Sequence, residues 1–148
     1  MNNLNRLAGW SAYVSAVATI AGAVTLMLFF SVGAPFGVIN DVTSVIGSLV
    51  IIPILFALHQ LHRSRAPAAS LGALIVGAIA MLVAAGLQTL LVLKIITFEQ
   101  TAVTVPSAYG VVGLSLIAFN YLAYAHASFP RKLAVWGIAA GIGYVLVI

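Results

Sequence analysis

Residues 36–65 read FGVINDVTSVIGSLVIIPILFALHQLHRSR. Asn40 and Asp41 stand where a helix start is expected, because a short polar side chain accepts from free backbone N–H groups and a carboxylate is favourable at the positive end of the helix dipole. From Val42 to Leu61 no Asp, Glu, Lys or Arg interrupts the run; His62, Arg63 and Arg65 close it, ahead of the breaker Ala66-Pro67. About 20 apolar residues at 1.5 Å each cross a hydrocarbon core of ~30 Å. The stretch therefore predicts a membrane-spanning helix with one basic end. Pro53 removes a hydrogen bond to the carbonyl of Leu49 and predicts a kink, of a kind that neighbouring helices accommodate.

The rest of the 148-residue chain follows the same rules, with 64% apolar residues, 5% charged and a mean hydropathy of +1.22. A water-soluble domain has roughly a quarter of its residues charged, so the composition excludes one. The reading is all-α: one domain, an integral membrane bundle of five transmembrane helices over residues 11–32, 40–61, 69–96, 105–127 and 132–148. The first apolar run, preceded by Arg6, imitates a signal peptide but is longer than such segments, and Pro35 follows its small-residue site; it is read as a retained span. The last run, from Lys132 to Ile148, reaches only ~25 Å at 1.5 Å per residue. Either it is covered by a partner or the chain continues.

Charge gives the orientation. With five spans, Arg6, Arg63, Arg65, Arg131 and Lys132 fall on one side, and Lys94 joins Asp41 and Glu99 on the other. By the positive-inside rule the N-terminus is cytoplasmic and the C-terminus is on the opposite side. The net charge of +4 is spread over helix ends, so it speaks for topology and anionic lipid and against nucleic acid.

Small residues recur on single helix faces: Ala8, Ala12, Ser15, Thr19, Gly22 and Ala23 in the first span, Ala73, Gly77, Ala80 and Ala84 in the third, and a GxxxG of Gly137 and Gly141 in the last. Such faces let helix backbones approach. Gly22, Gly77, Gly137 and Gly141 are therefore the expected contacts for self-association or for other transmembrane proteins.

Chemistry is sparse. There is no cysteine, so thiolate nucleophiles and thiolate metal sites are excluded. His59 and His62 share a helix face, but Asp41 and Glu99 belong to the opposite side, so no carboxylate completes a metal set; Ser64 near His62 likewise has no acid to orient the imidazole. No GxSxG, HExxH or P-loop pattern occurs, and no catalytic residue is assigned. Span interiors hold only neutral polar groups, Thr19, Ser48, Gln88, Thr89, Ser115 and Asn120. Ion-coupled carriers keep ionisable groups near the midplane, so transport would concern a neutral or hydrophobic solute, favoured if Gln88 and Asn120 converge on a cavity. His59 and His126 lie at similar depth on different spans and form the candidate cofactor pair for haem or a chlorophyll-type pigment, with Gly47 or Gly113 leaving room for a macrocycle.

One resemblance is carried by Asn5-Arg6-Leu7-Ala8-Gly9, the Ala34-Pro35-Phe36-Gly37 turn with Asn40-Asp41, the run Ala57-Leu58-His59 with Leu61-His62-Arg63, Thr97-Phe98-Glu99-Gln100, and Gly141-Ile142-Gly143-Tyr144-Val145. Together these resemble uncharacterised small multi-pass membrane proteins of bacteria, a domain-of-unknown-function family. The resemblance implies a helical fold in a bacterial inner membrane and implies no activity. The expected function is a non-catalytic accessory or interaction subunit of a membrane complex. A channel or carrier for a neutral or hydrophobic solute is the first alternative, and a haem- or pigment-binding protein the second.

Overall fold

The computed structural model of the protein describes residues 3–146, and every regular element among them is a helix. Helix α1 runs Asn3–Val32, α2 Phe36–His62, α3 Pro67–Val92, α4 Phe98–Thr101, α5 Thr104–His126 and α6 Arg131–Val145. Four segments have the length and apolarity to cross a membrane: α1, α2, α3 and Phe98–His126, which joins α4 to α5. Helix α6 has 15 residues, about 22 Å at 1.5 Å per residue, short of a full ~30 Å core. Val147 and Ile148, the end of the expected fifth span, lie outside the described residues.

The helix ends depart from the sequence reading in three places. Helix α2 starts at Phe36, with Pro35 in the cap position and no side-chain cap, so Asn40 and Asp41 sit inside its first turns instead of capping it. The turn before it is made by Gly33 at φ 89°, a left-handed conformation that glycine adopts without a Cβ clash. Helix α3 stops at Val92, not residue 96. Lys94 turns left-handed at φ 58°, its N–H donates to Leu91 O (2.9 Å), and that of Ile95 donates to Leu90 O (2.9 Å). This is a Schellman end built without glycine. Finally, the polar connection at Thr97 is a one-turn helix with a capping box, in which Thr97 N–H donates to Gln100 Oε1 at 2.8 Å.

Successive long helices run antiparallel and pack in chain order, α1 on α2, α2 on α3, α3 on α5 and α5 on α6. The centre lies between α2, α3 and α5, where Leu55, Met81, Val112 and Phe119 are fully buried. Gly77 sets the spacing there: a Cβ on it would come within 3.0 Å of both Leu55 Cδ1 and Ser115 Oγ. Lipid is as apolar as these side chains, so close van der Waals packing, and not burial from water, holds such helices together.

The two outer helices each rest on one neighbour, in different ways. On α6, Gly141 lies against α5, where a Cβ would be 2.7 Å from Ile117 Cγ1 and 2.8 Å from Gly113 O; a Cβ on Gly137 would occupy the space of the Asn120 amide. On α1 only Ser11, Ala18 and Thr25 are buried. Their seven-residue spacing traces a narrow seam along α2.

Alternation of helix direction gathers the charges at the two ends of the bundle. The start of α1, the α2–α3 turn and the α5–α6 turn carry Arg6, Arg63, Arg65, Arg131 and Lys132; the other end carries Lys94, Asp41 and Glu99.

Candidate functional site

The seam between α1 and α2 and the glycine contact between α5 and α6 leave α1 and α6 apart. Between them opens a cleft of about 200 Å³, floored by α2 and α5 and walled by α1 and Tyr144 of α6. From α1 it receives Ser15, Thr19, Gly22 and Ala23, and from α2 Asn40, Thr43, Ser44 and Gly47. Alternation of small and hydroxyl residues at three- and four-residue spacing puts them on facing sides of two helices. The α1 stripe is thus divided. Gly22 is used by α2, where a Cβ would meet Thr43 Oγ1 at 3.3 Å, whereas Ala12, Thr19 and Ala23 remain exposed.

The cleft floor is anchored by Tyr109. Its hydroxyl lies 2.9 Å from Ser48 Oγ and 3.2 Å from Ser44 O, and Ser48 Oγ lies 2.9 Å from the same carbonyl. Two hydroxyl protons serve these three contacts, so the trio is satisfied internally. The Tyr109 ring stacks on Tyr144, with centroids 6.1 Å apart and planes at 12°. Thr43 donates to Asn40 O at 2.8 Å, so its hydroxyl proton is used within α2. The walls therefore combine apolar groups with the hydroxyls of Ser15 and Thr19 and the amide of Asn40. At about 200 Å³ the cleft is below the roughly 300–1,000 Å³ of ordinary ligand pockets. It fits the ridge of a helix or a very small solute.

A second groove, about 390 Å³ and almost wholly apolar, lies between α3 and α5 along Val76, Ala80, Val83, Ala108 and Val111. Gln88 and Asn120 line neither opening. Gln88 is buried with its Oε1 unpartnered among the described residues, and Asn120 donates Nδ2–H to Leu116 O at 2.8 Å while its amide fills the space over Gly137.

The candidate cofactor histidines have different surroundings. His59 is half-buried, with Nδ1 3.0 Å from Ser70 Oγ, which itself donates to Pro67 O at 3.2 Å. His126 is exposed, and its carbonyl accepts from Arg65 Nη1 at 2.6 Å. Gly113, one of the two glycines considered for macrocycle room, is covered by α6: a Cβ there would stand 2.6 Å from Gly141 O. Gly47 lines the cleft near the middle of α2, about 18 Å along the helix from His59. The imidazole that enters the core is that of His62, 0% exposed, stacked 6.2 Å from Phe119, with neither ring nitrogen partnered among the described residues. Three or more His, Cys, Asp or Glu do not gather anywhere among the described residues. All four glycines expected to mediate association, Gly22, Gly77, Gly137 and Gly141, face helices of this same chain.

Sequence reasoning passed over Tyr109, Thr43 and Ser44 as site residues. The signal that points to Thr43 and Ser44 is the spacing of Asn40, Thr43, Ser44 and Gly47 on one face of α2. Comparison with known proteins adds nothing to the geometry: no family model, no curated protein and no solved structure matches the chain.

Proposed function

We propose that the protein is a non-catalytic accessory subunit of a bacterial inner-membrane complex, crossing the membrane five times with its N-terminus cytoplasmic, and that it receives a transmembrane helix of its partner in the cleft between α1 and α6. One observation carries this reading: the small-residue stripe of α1 is half occupied by α2 and half open, with Thr19 and Ala23 facing a cleft too shallow for most ligands. Small and hydroxyl residues are what transmembrane helices use to approach one another. Gly22, Gly77, Gly137 and Gly141 are engaged within the chain, whereas Gly47 in the cleft has open space where a Cβ would stand.

The fifth crossing is supported by the packing of α6 along α5, with Gly137 opposite Asn120 and Gly141 opposite Gly113. The orientation rests on the five basic residues at one end. Single cysteines replacing Ser64 and Gln100 test it in intact cells with a membrane-impermeant thiol reagent. Labelling is expected at 100 and absent at 64, and the reverse pattern overturns the orientation.

The partner is tested by filling the seat. Thr19→Leu with Ala23→Leu adds bulk to the cleft without touching the α5–α6 contact. The wild-type chain, gently purified from its native membranes, should carry a stoichiometric transmembrane partner that the double variant loses while keeping its own thermal stability. A second reading is favoured by the hydroxyl and amide lining from Ser15 to Asn40: a small neutral solute occupies the cleft. It predicts a partner-free chain that accelerates solute flux in liposomes.

A further inference from the structure

We propose that the end of the bundle formed by the α2–α3 and α5–α6 turns binds the phosphate headgroup of an anionic phospholipid. The starting observation is an imbalance of charge. Arg6, Arg63, Arg65, Arg131 and Lys132 share this end, and the only two carboxylate residues of the chain, Asp41 and Glu99, are at the other end, a membrane thickness away. Their counter-charge must come from outside the chain. Water and salt supply it weakly, whereas a leaflet rich in anionic lipid supplies it at the height where these side chains lie.

Two of the cations are already ordered on the last turn of α5. Arg65 is fixed by donating one N–H to His126 O at 2.6 Å, which leaves most of its five donors free. Arg131 lies over the Tyr124 ring, with its Cζ 5.5 Å from the ring centroid. A guanidinium edge matches a phosphate in two hydrogen bonds at once. Helices α3 and α6 begin at this same end, and neither has a side-chain cap, so their free N–H groups add to the positive field.

Depth selects a lipid in preference to a soluble anion. Tyr121, Tyr124 and Trp136 stand exposed beside the cations, Trp136 with 74% of its surface open and one turn after Lys132. Amphipathic rings of this kind settle at the headgroup level. They place the guanidinium groups where a lipid phosphate sits, with its acyl chains beginning alongside the rings.

The test uses the purified full chain in neutral detergent, offered phosphatidylglycerol, phosphatidylcholine or inorganic phosphate, with bound lipid counted by native mass spectrometry. Phosphatidylglycerol should be retained at least tenfold better than phosphatidylcholine. Each basic residue near an anionic surface strengthens association about fivefold, so Arg65→Gln and Arg131→Gln should each lower retention by about that factor, and Lys94→Gln at the other end should not. Should the Arg65 variant fail to fold, Arg63→Gln removes one charge from an exposed position at the same end and should give the same loss of about fivefold, rising to about twenty-fivefold with Lys132→Gln added. Equal retention of the two lipids, unchanged retention in the charge-deleted variants, or displacement of phosphatidylglycerol by millimolar inorganic phosphate would each overturn the proposal.

Discussion

Helices α6 and α1 flank the bundle on either side of one cleft, each held by a single neighbour and each marked in the sequence by small residues. They use those residues differently. In α6 the stripe is consumed: Gly137 and Gly141 admit the Asn120 amide and the Gly113 backbone so closely that a methyl group has no place. In α1 the buried seam is Ser11, Ala18 and Thr25, and Thr25 spends its hydroxyl on Ala21 O at 2.8 Å within its own helix. The stripe beside that seam, Thr19 and Ala23, is left over. A small-residue stripe thus states that something comes close, and only the packing of the whole chain states whether that something is already present.

The contrast can be broken by adding bulk at matched positions. Gly113→Ala should have the largest effect, because its Cβ would stand 2.6 Å from the Gly141 carbonyl, a backbone atom that cannot turn aside. Overpacking of this sort costs about 1–3 kcal/mol and separates the helices, which equilibrium unfolding in mixed micelles would register together with detachment of α6. Tyr109→Phe comes next. It removes one of two hydroxyls serving Ser48 and Ser44 O, a loss of about 1 kcal/mol, and it should couple non-additively with Ser48→Ala because both draw on one carbonyl. Gly22→Ala should matter least, within about 0.5 kcal/mol. Its Cβ would meet only Thr43 Oγ1 at 3.3 Å, the tip of a side chain. A destabilisation at Gly22 matching that at Gly113 would mean that α1 and α6 are bound alike, and the contrast would fail.

Much of the fold was legible because a membrane imposes few options. Long uncharged runs, breakers at Pro35, Pro67 and Pro130, and basic residues at alternate turns locate the long helices with little reference to packing. The ends were harder. Helix α3 was read to residue 96 because neither glycine nor proline marks its stop, and the chain instead ends it by putting Lys94 into a left-handed turn, a choice tertiary context makes against local preference. Asn40 and Asp41 look like caps to any local rule; the short turn at Gly33 starts the helix a turn earlier and carries Asn40 to the cleft. The cleft itself was illegible, since it exists only where α1 and α6 fail to meet. Likewise, His62 and His59 are indistinguishable in sequence, and the rotation of α2 decides that His62 faces Phe119 while His59 finds Ser70.

The seat for a partner helix is tested most directly by a photoreactive phenylalanine analogue placed in turn at Thr19, in the cleft, and at Ile142, on the exposed side of α6. Illuminated in native membranes, the Thr19 derivative should give one discrete adduct with a second transmembrane protein, identifiable by mass, and the Ile142 derivative should give lipid adducts alone. Lipid adducts alone at Thr19, or the same protein adduct from both positions, would contradict the account.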